Sequence, residues 1–192
     1  MNRHRRRLSE HHLELDALAG EVQRLWKALP PRQRLVLGLA QALRAVLAAS
    51  LGYFGARELG LQQGYWAAIT AISVSQSSHV DVRNSSRDQF LGAMIGGLIG
   101  MAVATLGHDR YLAYALAVTI GMVLCSAFNL GAAGRISGIT TTIIMLVPQQ
   151  GAFWQIALFR LGEVTLGAAA ALLVSAASDA LERRLLGAPP AS

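Results

Sequence analysis

The run AFWQIALFRLGEVTLGAAAALLVSAAS, residues 152–178, decides the fold. Its only charges are Arg160 and Glu163, and it holds no proline. About 20 consecutive, predominantly apolar residues are enough for a helix to cross the hydrocarbon core of a bilayer. Working outward, five further apolar segments precede it, at about 35–57, 64–77, 89–107, 111–129 and 134–148. The first, third, fourth and last reach the spanning length, whereas the second and fifth are shorter and more polar. The linkers between them are too short to hold a soluble domain. The expected class is therefore all-α, a polytopic membrane protein with six transmembrane helices over residues 35–180. A basic head (1–34) and a short tail (181–192) flank it.

Composition agrees. Of 192 residues, 53% are hydrophobic and 15% charged, against about 25% charged in soluble domains. Eight of the 17 Lys and Arg fall in residues 1–34, so the net charge of +6 is concentrated beside a membrane segment. Anionic lipid, not nucleic acid, is the partner which that placement suits. Arg3, Arg5, Arg6 and Arg7 could pass for the start of a secretory signal. However, no apolar run follows until Leu35, and Glu10, Glu14, Asp16 and Glu21 intervene, so no cleaved leader is expected. Cys125 is the sole cysteine, which excludes a disulfide framework.

Charge also orients the chain. With the N-terminus inside, the cytoplasmic face receives the basic head, Arg83, Arg87, Arg135, Arg183 and Arg184, and the outer face only Arg57 and Arg110. Both termini are then cytoplasmic. Residues 8–29 read as an amphipathic helix with Leu8, Leu15, Leu18, Val22, Leu25 and Leu29 on one seam. It either pairs as a short heptad coil or lies on the inner leaflet, and Pro30-Pro31 ends it.

The chain echoes itself at an offset of 70 residues. Gly64, Ile69 and Thr70 return as Gly134, Ile139 and Thr140, and Gly92 and Gly97 as Gly162 and Gly167. Three helices per half is an odd number, so the echo suggests a 3+3 inverted repeat.

Gly92, Gly96 and Gly100 form a small-residue stripe on segment three, and Gly167 lies on segment six; such residues let helix backbones approach closely. Charge inside a membrane is the stronger functional signal. Arg44 shares a helical face with Gln41 in segment one, and Arg160 and Glu163 face the same way at i and i+3. Two arginines against one carboxylate leave a positive surplus near the middle of the bundle, suited to an anion. Alternatively, Glu163 neutralises an arginine and the set holds helices together. Ser75 and Gln76 at the end of segment two, with Thr140 and Thr141 in segment five, place hydroxyls and an amide at matching points of two short segments. They read as part of the same pathway, or as side chains bonding back to their own helices. Tyr65 and Trp66, near an expected outer boundary, read as interfacial belt residues.

No nucleophile elbow, phosphate loop or Cys/His metal spacing is present, so no enzyme, cofactor or metal is expected. His79 and His108 have only Asp81 or Asp109 close in sequence, too little for a metal site.

At these residues the chain resembles the fusaric acid resistance protein-like family, also described as the aromatic acid exporter group. Gly64-Tyr65-Trp66-Ala67-Ala68-Ile69-Thr70 through Gln76, Leu91-Gly92 to Gly100, Arg44, and Arg160 with Glu163 and Gly167 carry the resemblance, over roughly residues 35–180. It implies proton-driven efflux of aromatic or other organic acids across the bacterial inner membrane; similar plant proteins are dimeric anion channels. Two departures stand out. Larger members carry two six-helix modules and a soluble domain, where this chain has one module, which implies self-association, a dimer first. An arginine often precedes the first glycine of segment three by three residues, where this chain has Gln89, with Arg87 two residues earlier. The expected function is a homo-oligomeric exporter of organic carboxylate anions, with Arg44 and Arg160 attracting the anion and Glu163 carrying a proton. A passive anion channel and a non-transporting membrane scaffold are the competing readings.

Overall fold

The computed structural model describes residues 30–61, 63–76, 78–105, 110–147 and 152–186. The heptad stretch at 8–29, the 108–109 and 148–151 linkers and the last residues of the tail lie outside them. Among the described residues six helices follow one another: α1 (Pro31–Glu58), α2 (Tyr65–Val74), α3 (His79–Ala104), α4 (Arg110–Ala127), α5 (Ala133–Leu146) and α6 (Phe153–Leu186). No strand occurs among the described residues.

The chain divides into two compact units, residues 1–42 and 43–192. The described part of the first is the opening of α1, exposed on every side except at half-buried Gln41. The second holds everything else. Within it α5 packs most extensively on α3, with α3 on α6, α2 on α6 and α4 on α5 the other large contacts.

Among the described residues two helices, α1 and α6, are long and apolar enough to cross a membrane. α2, α4 and α5 are shorter apolar helices, and the 26 residues of α3 begin with a charged stretch that includes Asp81, Arg83, Arg87 and Asp88. α2 has 10 residues and runs out into extended backbone at Ser75 (φ −68°, ψ 110°). α5 has 14 and ends the same way at Val147 (φ −78°, ψ 122°).

Small residues set the closest approaches. A methyl group on Gly92 would sit 2.6 Å from the Ala133 carbonyl oxygen, and one on Gly96 would fall onto the Ser137 backbone, while Gly100 faces Thr141 and Ile144. The glycine face of α3 is thus the seat of α5, and the Thr141 hydroxyl crosses it to donate to the Gly96 carbonyl at 3.1 Å. Gly167 does for α2 what Gly96 does for α5: a methyl there would lie 2.8 Å from the Thr70 Cβ.

The turns after α1 and α4 are alike. Leu61 N–H donates to the Ala56 carbonyl at 2.9 Å and Gly60 N–H to Arg57 at 3.0 Å; Leu130 N–H donates to Cys125 at 2.9 Å and Asn129 N–H to Ser126 at 3.1 Å. Both are Schellman caps with a left-handed residue, Gly60 (φ 78°) and Asn129 (φ 54°). Each bond in one turn lies 69 residues from its counterpart in the other.

Candidate functional site

Gln63 precedes the first turn of α2, Trp66 is on that turn, and Gln155, Phe159, Arg160 and Glu163 are on the opening of α6. With Ile143 and Ile156 as apolar walls, they line a cavity of about 340 Å³. That is within the size range of small-molecule pockets, about 300–1,000 Å³.

Arg160 and Glu163 are the charged groups of this cavity, and both are buried, 6% and 3% exposed. One helical turn separates them, which brings Nη1 of Arg160 to 3.9 Å from Oε2 of Glu163. This is an ion pair without a hydrogen bond, since N–H···O bonds close at about 2.7–3.2 Å. The Arg160 guanidinium carbon instead lies 4.6 Å over the Trp66 ring, whose electron-rich face attracts a cation. Among the described residues nothing accepts from Nε or Nη1 of Arg160. A buried donor without an acceptor costs about 1–3 kcal/mol, more when charged. The structure therefore holds a desolvated cation whose Nε and Nη1 donors are unmet, and a guanidinium suits a carboxylate.

Trp66 is the main departure from the belt reading. It is half-buried, with its face against Arg160 and its Nε1–H donating to Oε1 of Gln63 at 3.1 Å; a desolvated cation at the helix contact gives the indole a partner that an interfacial position lacks. Gln155 accepts the Ala152 N–H on Oε1 at 3.2 Å. Gln63, Gln155 and Phe159 went unnoticed in the sequence. The signal for Gln155 was its place in the first turn of an otherwise apolar run, a turn and a half before Arg160.

Arg44 is elsewhere. It pairs with the Glu182 carboxylate, and Glu182 is 22 residues beyond Arg160 on α6, about 33 Å of helix rise. Two arginines do not converge on one carboxylate: each has its own, in opposite halves of α6, because α1 runs along α6 from Gly52 beside Gly167 to Arg44 beside Glu182. Gln41, three residues before Arg44, belongs to the first unit. Ser75 is half-buried at the end of α2 and Gln76 is exposed. Thr140 and Thr141 are fully buried; the hydroxyl of Thr141 is used on α3 and that of Thr140 has no partner among the described residues. None of these six lines the Arg160 cavity. His79 opens α3, with Nδ1 3.1 Å from Oγ of Ser175. No group of three or more His, Cys, Asp or Glu side chains among the described residues could hold a metal ion.

Residues 45–174, two thirds of the chain, match a family model described as fusaric acid resistance protein-like. No curated protein and no solved structure matches the chain. The matched span includes the whole lining of the cavity and stops short of Glu182.

Proposed function

The chain belongs to the fusaric acid resistance protein-like family, whose association is with membrane transport, and from that premise we propose that it exports organic, chiefly aromatic, carboxylate anions. The observation that carries the reading is Arg160: a buried cation with vacant donors, in a cavity sized for one ring and its substituents. A carboxylate that accepts from Nε or Nη1 supplies hydrogen bonding that the fold leaves open. Trp66 and Phe159 offer apolar and aromatic surface to the rest of the molecule, and burial keeps water from competing.

Glu163 supplies the coupling. A carboxylate 3.9 Å from the guanidinium repels the substrate anion when ionised and does not when protonated, so anion release and proton loss are linked through one ion pair. The chain is placed in the bacterial inner membrane with both termini cytoplasmic, which the clustering of Arg83, Arg87, Arg135, Arg183 and Arg184 supports. The 69-residue correspondence of the two caps, with α2 and α5 both short and both seated on glycine, supports an inverted repeat of α1–α3 and α4–α6 within six spans. Arg44 with Glu182 stands at the cytoplasmic mouth, where it draws anions in; Ser75, Gln76, Thr140 and Thr141 are assigned to the route between that mouth and the cavity. One six-helix module leaves polar intramembrane groups partly covered, so a homodimer is the assembly proposed.

Uptake of radiolabelled benzoate into proteoliposomes, with and without an imposed pH gradient, tests the reading. Flux that the gradient accelerates and Arg160→Gln abolishes is the expected result. Gradient-independent flux would make the protein a channel, and no flux from well-inserted protein would leave a scaffold.

A further inference from the structure

Gln63 and Gln155 are the polar, uncharged lining residues of the cavity, and their amide orientations are fixed by their partners. Trp66 Nε1–H can only donate, so the group that meets it at 3.1 Å is the Gln63 carbonyl. The Ala152 backbone N–H can only donate, so Gln155 must likewise present its carbonyl to it, at 3.2 Å. Both side-chain carbonyls are thus engaged within the protein. What remains for the cavity is an NH2 group from each, and an NH2 group can only donate.

The two amides are also set apart from Arg160. Trp66 carries Arg160 on its ring face and Gln63 on its N–H edge, so guanidinium and amide occupy different flanks of one indole. Gln155 precedes Arg160 by five residues on α6, about 7.5 Å of rise. An anion seated on Arg160 shares one cavity with both amides.

We infer that Gln63 and Gln155 are specificity-determining residues that read a second hydrogen-bond acceptor on the anion, apart from its carboxylate. The ligand class is an aromatic acid whose ring bears a nitro, carbonyl or other acceptor group, in preference to one bearing an apolar group of the same size. A buried donor left facing an apolar substituent stays unsatisfied, so the preference arises as much from rejection as from attraction. The inference rests on the carboxylate site at Arg160.

The test compares 4-nitrobenzoate with 4-(trifluoromethyl)benzoate, of similar size and similarly electron-withdrawing, by calorimetric titration of the full chain in nanodiscs. The wild type is expected to prefer the nitro compound by roughly two- to tenfold per amide engaged. Gln63→Glu and Gln155→Glu keep the carbonyl-type acceptor that Trp66 and Ala152 need while replacing the donor. Each should lose the nitro preference and weaken both anions; Gln63→Met and Gln155→Met should lose the preference with less effect on the trifluoromethyl compound. If both ligands bind the wild type equally and Arg160→Gln abolishes both, the amide reading fails and the carboxylate site stands. If neither binds, or Arg160→Gln leaves both unchanged, the carboxylate site itself fails. Glutamate variants that keep the wild-type preference would make the two glutamines structural only.

Discussion

Replacing Arg160 with glutamine separates the two things the arginine does. In the fold it faces Glu163 at 3.9 Å. At an effective dielectric of about 20 that separation is worth about 4 kcal/mol of Coulomb attraction before desolvation is counted. Removing one partner of a buried pair strands the other, and such changes cost about 3–5 kcal/mol. Arg160→Gln should therefore lower the melting temperature of the purified protein, and Glu163→Gln should do so as well. The double variant removes both charges together and should recover most of the loss, since a matched neutral pair strands nothing. Binding follows another pattern. A charge-assisted hydrogen bond contributes about 1.5–3 kcal/mol, so even one such bond from Nε or Nη1 is worth roughly a tenfold to hundredfold change in Kd for an aromatic carboxylate. That loss should appear in Arg160→Gln and persist in the double variant. Melting curves and calorimetric titration with benzoate, on the same preparations, read both quantities. A double variant that regains stability and also binds like the wild type would refute the anion site. So would an Arg160→Gln protein with unchanged Kd.

Glu163→Gln alone should retain benzoate binding, tightened if anything by loss of a like charge, while flux ceases to respond to a pH gradient; retained acceleration by the gradient would remove Glu163 from the coupling step. Gly96→Ala places a methyl onto the Ser137 backbone and should destabilise the protein by about 1–3 kcal/mol, seen as a lower melting temperature with Kd for benzoate unaltered. Arg44→Ala breaks a pair whose arginine is 20% and glutamate 57% exposed. It should slow flux without changing Kd, and equal flux in variant and wild type would take Arg44 out of the route. Reporter fusions after Arg184 should report the cytoplasmic face, and a periplasmic signal there would overturn the charge-based orientation.

Helix positions were legible in the sequence because hydropathy is a property of whole segments. The apolar run at residues 152–178 lies within α6 but for Ala152, that at 35–57 lies within α1, and that at 64–77 covers α2, which the structure ends at Val74. The charged opening of α3 was less legible: Asp81, Arg83, Arg87 and Asp88 read as loop, yet they lie on the helix that carries Gly92. Arg160 and Glu163 stood out because each is a charge in an apolar run one turn from the other. Their setting did not. A stack of guanidinium on indole joins residues 66 and 160, and a pair such as Arg44 with Glu182 spans 138 positions; neither leaves a local trace. Gln63 and Gln155 are ordinary polar residues near helix ends, and only the donors that hold their carbonyls make them informative. The turn at residues 129–131 was hidden because its left-handed residue is Asn129 where the earlier turn has Gly60.

In the six-span arrangement proposed above, the short helices α2 and α5 would have an electrical consequence. Their 10 and 14 residues rise about 15 and 21 Å, against about 30 Å of hydrocarbon, and each gives way to extended backbone. At membrane depth such backbone is tolerated only where protein buries it or water reaches it. Water at these ends would thin the insulating layer, and the transmembrane voltage would then fall across a septum shorter than the bilayer. A monovalent anion crossing the whole field exchanges about 2.3 kcal/mol per 100 mV, and nearly all of that exchange is then confined to its passage through the septum. Steps in the wet vestibules would be almost indifferent to voltage, and the step that crosses the septum steeply dependent on it.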